Sequence, residues 1–170
     1  MPDETAEVLA ATVGRLLKAK GEKLVTAESC TGGGIAEAVT AISGSSEWFD
    51  RGFVTYSNEA KTEMLRVSPT TLASHGAVSE ETAREMALGA LAASPGTVSV
   101  SVTGIAGPTG GSRAKPVGTV CFAWARSGEA VPRSETRRFA GDRESVRRQS
   151  VVRALQGLNE MLDDGSGQES

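Results

Sequence analysis

The stretch 117–125 constrains the fold more than any other part of the chain, because its side chains are apolar on both alternating faces. One face carries Val120, Phe122 and Trp124, and the other carries Cys121, Ala123 and Ala125. A strand with this pattern is central in a sheet and is covered on both sides. The sequence therefore predicts a sheet enclosed between two further layers.

Segments with helical spacing alternate with short apolar stretches along the chain, and helices placed between strands cover both faces of a sheet. We predict strands over residues 23–28, 52–56, 97–102, 117–125 and 133–139, with the charged last one at an edge. We predict helices over residues 4–20, 35–42, 59–65, 79–93 and 142–162. The expected fold class is α/β, a three-layer α/β/α sandwich with a mixed central sheet. Residues 1–164 are expected to form one domain, and residues 165–170 a flexible polar tail.

Composition limits the classes of function. A net charge of −3 does not suggest a nucleic-acid binder, which carries a basic patch. Two cysteines are too few for a disulfide framework, and neither a signal peptide nor a bilayer-spanning apolar run is recognisable. We therefore expect a cytoplasmic protein that binds neither nucleic acid nor membranes. His75 is the single histidine and no Cys/His metal spacing occurs, so we expect no metal and no cofactor.

A run of glycines at a predicted helix start is the strongest local signal of a functional site. The strand that ends at Ser29 is followed by Cys30, Thr31, Gly32, Gly33 and Gly34. Each helical glycine costs up to about 1 kcal/mol relative to alanine, so the run is unfavourable unless something must approach the backbone. Bare N–H groups at a helix start can hold an oxyanion. Ser29 is therefore a candidate nucleophile and residues 31–33 are candidate oxyanion donors, although a tight turn alone explains the pattern equally well.

Two other predicted helix starts carry cations. Lys61 lies in the first turn of a helix that Ser57 or Asn58 would cap, where the helix dipole lowers the pKa of a lysine. Lys61 is thus a candidate neutral base, with an ordinary surface lysine as the alternative. Arg143 and Arg147 share one face at the start of the last helix and suit a phosphate or a carboxylate. We favour Arg147 as the anion-binding residue, against a solvated helix face.

A glycine-rich loop, 103–111, leaves a predicted strand and is not followed by a helix. Thr103, Gly104 and Gly107 are its candidate substrate-binding residues, because glycines permit close backbone approach; a mobile connection is the alternative. The dinucleotide fingerprint, the phosphate-binding loop and the Gly-x-Ser-x-Gly motif are all absent from the sequence. Since His75 is the single histidine, a serine enzyme here needs lysine, tyrosine or both as its base.

Several short motifs occur in an order that resembles one known family. They are AESCTGG at 27–33, YSNEAK at 56–61, HGAVS at 75–79, TGIAGP at 103–108, KPVGTV at 115–120, GDR at 141–143 and RRQ at 147–149. Together they closely resemble the CinA C-terminal domain family over residues 4–162. The chain has no room for the N-terminal domain of full-length CinA proteins, so it resembles the stand-alone members, which are nicotinamide-nucleotide amidases.

This resemblance implies hydrolysis of the carboxamide of nicotinamide mononucleotide to nicotinate mononucleotide and ammonia, a reaction of pyridine nucleotide salvage. It also implies a serine nucleophile with tyrosine and lysine partners, which correspond to Ser29, Tyr56 and Lys61. Ser29 would attack the amide carbon, and Lys61 would accept its proton, directly or through Tyr56. The backbone N–H groups of residues 31–33 would hold the oxyanion.

Two other classes of function use the same residues. A thiol amidase would employ Cys30 as its nucleophile. A non-catalytic nucleotide-binding module would grip a phosphate with the glycine loops and Arg147. In the amidase interpretation the partner is a small-molecule nucleotide substrate, and the sequence leaves the formation of a homo-oligomer open.

Overall fold

A computed structural model of the chain describes residues 5–166, and the side chains of residues 5–163. The helices in this part are α1 (Ala6–Lys20), α2 (Gly34–Thr40), α3 (Asn58–Leu65), α4 (Pro69–His75), α5 (Glu80–Ala92) and α6 (Arg143–Ser166). The strands are β1 (Leu24–Glu28), β2 (Phe49–Val54), β3 (Val98–Gly104), β4 (Thr119–Arg126) and β5 (Arg133–Arg138).

The strands form one mixed sheet in the order β2-β1-β3-β4-β5. Strand β1 runs parallel to both β2 and β3, whereas β4 is antiparallel to β3 and β5. Helices α1, α2 and α6 pack together on one face, and α5 covers the other face with α3 and α4 against it. The predicted three-layer α/β/α sandwich with a mixed sheet is confirmed, and β5 lies at an edge as expected.

Strand β4 is buried on both faces, as its apolar pattern predicted. On the α6 side, Phe122 and Trp124 stack with their ring centroids 5.7 Å apart, and the Trp124 indole N–H donates to the Ala154 carbonyl at 3.0 Å. On the other side, the small side chains of Cys121, Ala123 and Ala125 pack in the core beneath α5. Large side chains thus fill one core layer, and small ones let a helix approach in the other.

Strand β3 is also buried on both faces, although its second face is polar. Val98, Val100 and Val102 point into the core beneath α6. Ser99 and Ser101 point the other way, and their hydroxyls donate to carbonyls of α5, Ala87 O at 2.8 Å and Ala83 O at 2.6 Å. Because a buried hydroxyl needs a partner, these two bonds allow serines inside a central strand.

Several predicted boundaries differ from the structure. Strand β2 spans Phe49–Val54 rather than 52–56, and α6 continues to Ser166 instead of ending near residue 162. Helix α4 is absent from our predictions, although Ser68 caps it and Pro69 opens it, a pairing typical of helix starts. The predicted helix start at Glu4 and residues 167–170 of the predicted tail lie outside the described residues.

The topology brings the candidate residues to one edge of the sheet. Because β1, β2 and β3 are parallel, their carboxyl ends lie side by side. Ser29 follows β1, Tyr56 follows β2, and the glycine-rich loop follows β3. Ligands in open α/β sheets bind outside the carboxyl ends of the strands. Within residues 5–166, no helix combines the length and the apolar character needed to cross a bilayer.

Candidate functional site

A cavity of about 290 Å³ lies at the carboxyl ends of β1, β2 and β3. It brings together the predicted Ser29, Tyr56 and Lys61, and also Thr103, Gly104 and Gly107. The candidate loop 103–111 also contributes Ile105, Ala106, Thr109, Gly110 and Gly111 to the lining. The remaining lining residues, Asn58, Ala77 and Val78, were not predicted to belong to the site. Arg143 and Cys30 complete the lining.

Lys61 is the central side chain of this cavity. It is 1% exposed, and its Nζ lies 3.2 Å from Ser29 Oγ. The same nitrogen lies 3.0 Å from the Thr55 carbonyl oxygen and 3.3 Å from that of Tyr56. Helix α3 holds Lys61 in place, because the Ser57 hydroxyl caps the helix by accepting from Ala60 N–H. The direct contact joins the predicted base and the predicted nucleophile.

The surroundings of Lys61 favour the neutral amine. Burial lowers the pKa of Lys61 below its ordinary value of 10.5. Within residues 5–163, no carboxylate lies within ion-pair distance of its Nζ. A neutral amine offers two N–H donors and one lone pair, which match two carbonyl acceptors and one hydroxyl donor. In its neutral form Lys61 can therefore donate to the carbonyls of Thr55 and Tyr56 while its lone pair accepts from the Ser29 hydroxyl.

Glu28 holds the turn that carries Ser29, a role that sequence reasoning missed. Its carboxylate is 1% exposed and accepts from the N–H groups of Ile35 at 2.9 Å and Ala36 at 3.0 Å. The Thr31 hydroxyl donates to the same carboxylate at 2.5 Å. A negative charge at a helix N-terminus is stabilised by the helix dipole and the free amides there. The spacing of Glu28 ahead of a glycine-rich helix start is the signal that was available.

The expected oxyanion donors are occupied elsewhere or lie outside the cavity. Gly32 N–H donates to Ser29 O at 3.0 Å, and the first amides of α2 donate to Glu28. Residues 31–33 do not line the cavity. Backbone conformation and close packing explain the run of glycines instead. Gly32 and Gly33 have φ of 59° and 103°, and a Cβ on Gly34 would lie 2.9 Å from Val151. In this structure the Gly32 N–H is therefore engaged within the turn and does not face the cavity.

Arg147 does not reach the cavity, contrary to our expectation of an anion-binding role there. Its guanidinium donates to Cys30 O at 3.1 Å and to Thr31 O at 3.2 Å, so it fastens α6 to the turn after Ser29. Arg143, one helical turn earlier, lines the cavity. The i, i+4 pairing placed both arginines on one face, but only the first residue of the helix extends to the cavity.

Arg143 links two walls of the cavity. Its Nη2 donates to the Tyr56 hydroxyl at 3.0 Å, and its Nη1 donates to the Gly107 carbonyl at 2.8 Å. The Tyr56 side chain is 61% exposed, so its phenol stands at the cavity mouth. The main chain of Tyr56, rather than its phenol, contacts Lys61. Tyr56 therefore lies in the site but makes no relay contact between Ser29 and Lys61.

The loop after β3 forms the third wall. The Thr103 hydroxyl donates to the Ala77 carbonyl at 2.9 Å, which ties the end of β3 to the segment before α5. Gly104 has no room for a side chain, since a Cβ would lie 2.8 Å from Val120 Cγ2. Gly107 has φ of 85°, a conformation that favours glycine. These backbone positions line the cavity, as predicted for the loop.

The other reactive side chains are poorly placed for chemistry. Cys30 is buried, and burial raises the pKa of its thiol to about 12, so the thiolate is scarce at neutral pH. His75 lies outside this cavity, with its Nδ1 3.6 Å from a Glu81 carboxylate oxygen. In the described part of the chain, His, Cys, Asp and Glu side chains form no group of three or more that could hold a metal ion.

Comparison with known proteins agrees with the sequence motifs. The chain is 56% identical over 159 residues to nicotinamide-nucleotide amidohydrolase PncC of Escherichia coli K12, covering 93% of this chain and 95% of that protein. It is 53% identical over 150 residues to the Pseudomonas putida protein of the same name, covering 88% and 92%. The crystal structure of competence/damage inducible protein CihA from Agrobacterium tumefaciens has a TM-score of 0.90 at 44% identity, covering 96% of this chain and 98% of that one. Residues 6–162 match the CinA C-terminal domain, and the chain therefore belongs to that family.

Proposed function

We propose that this protein is an amidohydrolase that converts nicotinamide mononucleotide to nicotinate mononucleotide and ammonia, with Ser29 as nucleophile and Lys61 as base. One observation carries the mechanism: a buried lysine, with no carboxylate of residues 5–163 within ion-pair distance, lies 3.2 Å from a serine hydroxyl inside a cavity. Similarity to the nicotinamide-nucleotide amidohydrolases of Escherichia coli and Pseudomonas putida supports the substrate.

The first half of the reaction forms an acyl-enzyme. Ser29 Oγ attacks the carboxamide carbon while its proton passes to Lys61 Nζ. The tetrahedral intermediate collapses when its C–N bond breaks, and Lys61 gives the proton to the departing nitrogen, which leaves as ammonia. The 3.2 Å contact lets Lys61 perform both transfers directly, without a relay through Tyr56.

The second half releases the acid. A water molecule attacks the ester carbon and gives a proton to Lys61, which returns it to Ser29 Oγ as the ester bond breaks. We assign the oxyanion to the Cys30 N–H, because the amide after the nucleophile takes this role at other strand-to-helix turns and Cys30 lines the cavity. Thr103, Gly104 and Gly107 form the wall against which the substrate would lie.

Ammonia release from nicotinamide mononucleotide, the riboside and free nicotinamide tests this proposal. We expect turnover of the mononucleotide, with mass spectrometry showing nicotinate mononucleotide as the second product. Absence of ammonia from all three substrates, with the mononucleotide still bound, would contradict the proposal and identify a nucleotide-binding module. The matched control is Ser29→Ala, which removes the nucleophile and leaves the cavity lining otherwise intact.

A further inference from the structure

The cavity carries an unbalanced positive charge. Within the described part of the chain, its basic lining residues are Arg143, which is always charged, and Lys61, whose burial disfavours the charged form, and no carboxylate lines it. No described carboxylate lies within ion-pair distance of the Arg143 guanidinium either. Asp142, the neighbouring acid, instead accepts from Ser145 N–H and caps α6. A cation without a counter-ion at a cavity mouth favours an anionic ligand.

The Arg143 guanidinium is held in place by neutral acceptors and keeps unused donors. It donates one N–H to the Tyr56 hydroxyl and one to the Gly107 carbonyl, at 3.0 and 2.8 Å. A guanidinium has five N–H donors in a planar fork. Two contacts therefore orient the group and leave further donors for an incoming anion, in the geometry that suits phosphate oxygens.

Tyr56 connects this cation to the catalytic pair. Its carbonyl oxygen contacts Lys61 Nζ at 3.3 Å, while its phenol oxygen contacts Arg143 Nη2 at 3.0 Å. The reacting end of the cavity and the guanidinium are thus joined by the rigid side chain of one tyrosine. A substrate that reaches both ends must carry its amide and its anionic group at separate positions, as a pyridine mononucleotide does.

We propose that Arg143 binds the phosphate monoester of the substrate and that Tyr56 is a positioning residue, whose phenol orients the guanidinium. This inference rests on the proposed function and names the group that selects a nucleotide over its nucleoside. It replaces Arg147 with Arg143 as the anion receptor, because Arg143 lines the cavity and Arg147 does not.

The test compares nicotinamide mononucleotide with its riboside in Arg143→Gln, Arg143→Lys and Tyr56→Phe. The preference for the mononucleotide, as the ratio of the two kcat/KM values, should fall about 10- to 100-fold in Arg143→Gln. The loss should appear mainly in KM, and Arg143→Lys should restore part of it. Tyr56→Phe should lower the same ratio by less. Arg148→Gln is the matched control, because exposed Arg148 pairs with Glu144 and does not line the cavity.

Titration calorimetry with both ligands separates this inference from the proposed function. Wild-type protein that releases no ammonia would contradict the amidase function, yet the Kd ratio of the two ligands would still decide the phosphate assignment. Equal losses for mononucleotide and riboside in folded Arg143→Gln would overturn the assignment to Arg143. A Tyr56→Phe effect that is confined to kcat and equal for both substrates would indicate that Tyr56 takes part in proton transfer instead of positioning Arg143.

Discussion

Lys61 and Ser29 lie 32 positions apart in the chain, yet Nζ of the first is 3.2 Å from Oγ of the second. The parallel pairing of β1 and β2 creates this contact, because Ser29 follows β1 and the segment leading to α3 follows β2. The lysine is buried among polar main-chain acceptors rather than beside an acid. In the proposed mechanism this arrangement supplies Ser29 with a base, while His75 lies outside the cavity.

The pH dependence of kcat/KM should report the protonation of Lys61. Burial lowers the pKa of Lys61 below 10.5, and only the deprotonated amine can accept the Ser29 proton. Activity should therefore fall as the pH drops through this lowered pKa and level off above it. A profile of kcat/KM against pH, measured in buffers of constant ionic strength, checks this expected fall in activity. A fall in activity centred on the ordinary lysine pKa of 10.5 would contradict a role for the buried amine.

Burial of Lys61 should also leave a signature in stability. With a folded pKa below 10.5, the unfolded chain binds more protons between the folded pKa and 10.5, so wild-type stability rises with pH there. Below the folded pKa the cost of burying the charge is fully present. Urea unfolding of wild type and Lys61→Met across this range should show that the free energy of unfolding of the wild type increases relative to that of the variant as the pH rises. A constant difference would mean that burial leaves the lysine pKa unchanged.

The layers of the fold were predictable because apolar patterns report burial directly. Both faces of β4 were evident from the alternation of its apolar side chains. The polar face of β3 was less evident, since Ser99 and Ser101 are buried only because α5 offers them carbonyl acceptors. Such partners lie far away in the sequence and appear only in three dimensions.

The sequence indicated which residues to consider for the site, but it did not indicate which contacts those residues make. Ser29 and Lys61 were chosen as candidates from local features, and the structure brings both to one cavity, but the dipole argument did not contain the burial of the lysine. Glu28 was missed because its partners at Ile35 and Ala36 become visible only once the turn is folded. Arg147 was expected at the cavity and lies outside it, because a shared helix face does not show which residue reaches the cavity.

Cys30→Ala should retain most of the amidase activity, since burial raises the pKa of the thiol to about 12. The thiolate form would then be a minute fraction of the protein at neutral pH. For the same reason, iodoacetamide should label the native protein slowly and leave turnover largely intact. Complete loss of activity in a folded Cys30→Ala variant would revive the thiol mechanism. Cys121→Ala is the matched control, because the second cysteine is also buried and lies outside the cavity.

Arg147→Ala should weaken turnover of the mononucleotide and the riboside alike. Its guanidinium bonds to Cys30 O and Thr31 O, so its removal loosens the turn that carries Ser29 without touching the substrate. Charge-assisted hydrogen bonds contribute about 1.5–3 kcal/mol each, so a lowered free energy of unfolding should accompany the loss. Kinetics with both substrates and urea unfolding measure the two effects. A selective rise in KM for the mononucleotide would contradict this structural role.

The central claim is that Ser29 and Lys61 act as one catalytic unit. The most direct test is kcat/KM for Ser29→Ala, Lys61→Ala and the double variant on nicotinamide mononucleotide, with circular dichroism to establish folding. Each single substitution should nearly abolish turnover, and the double variant should be little worse than either, because members of one unit are strongly non-additive. Near-normal activity in folded Ser29→Ala, or independent additive losses in the double variant, would contradict the account.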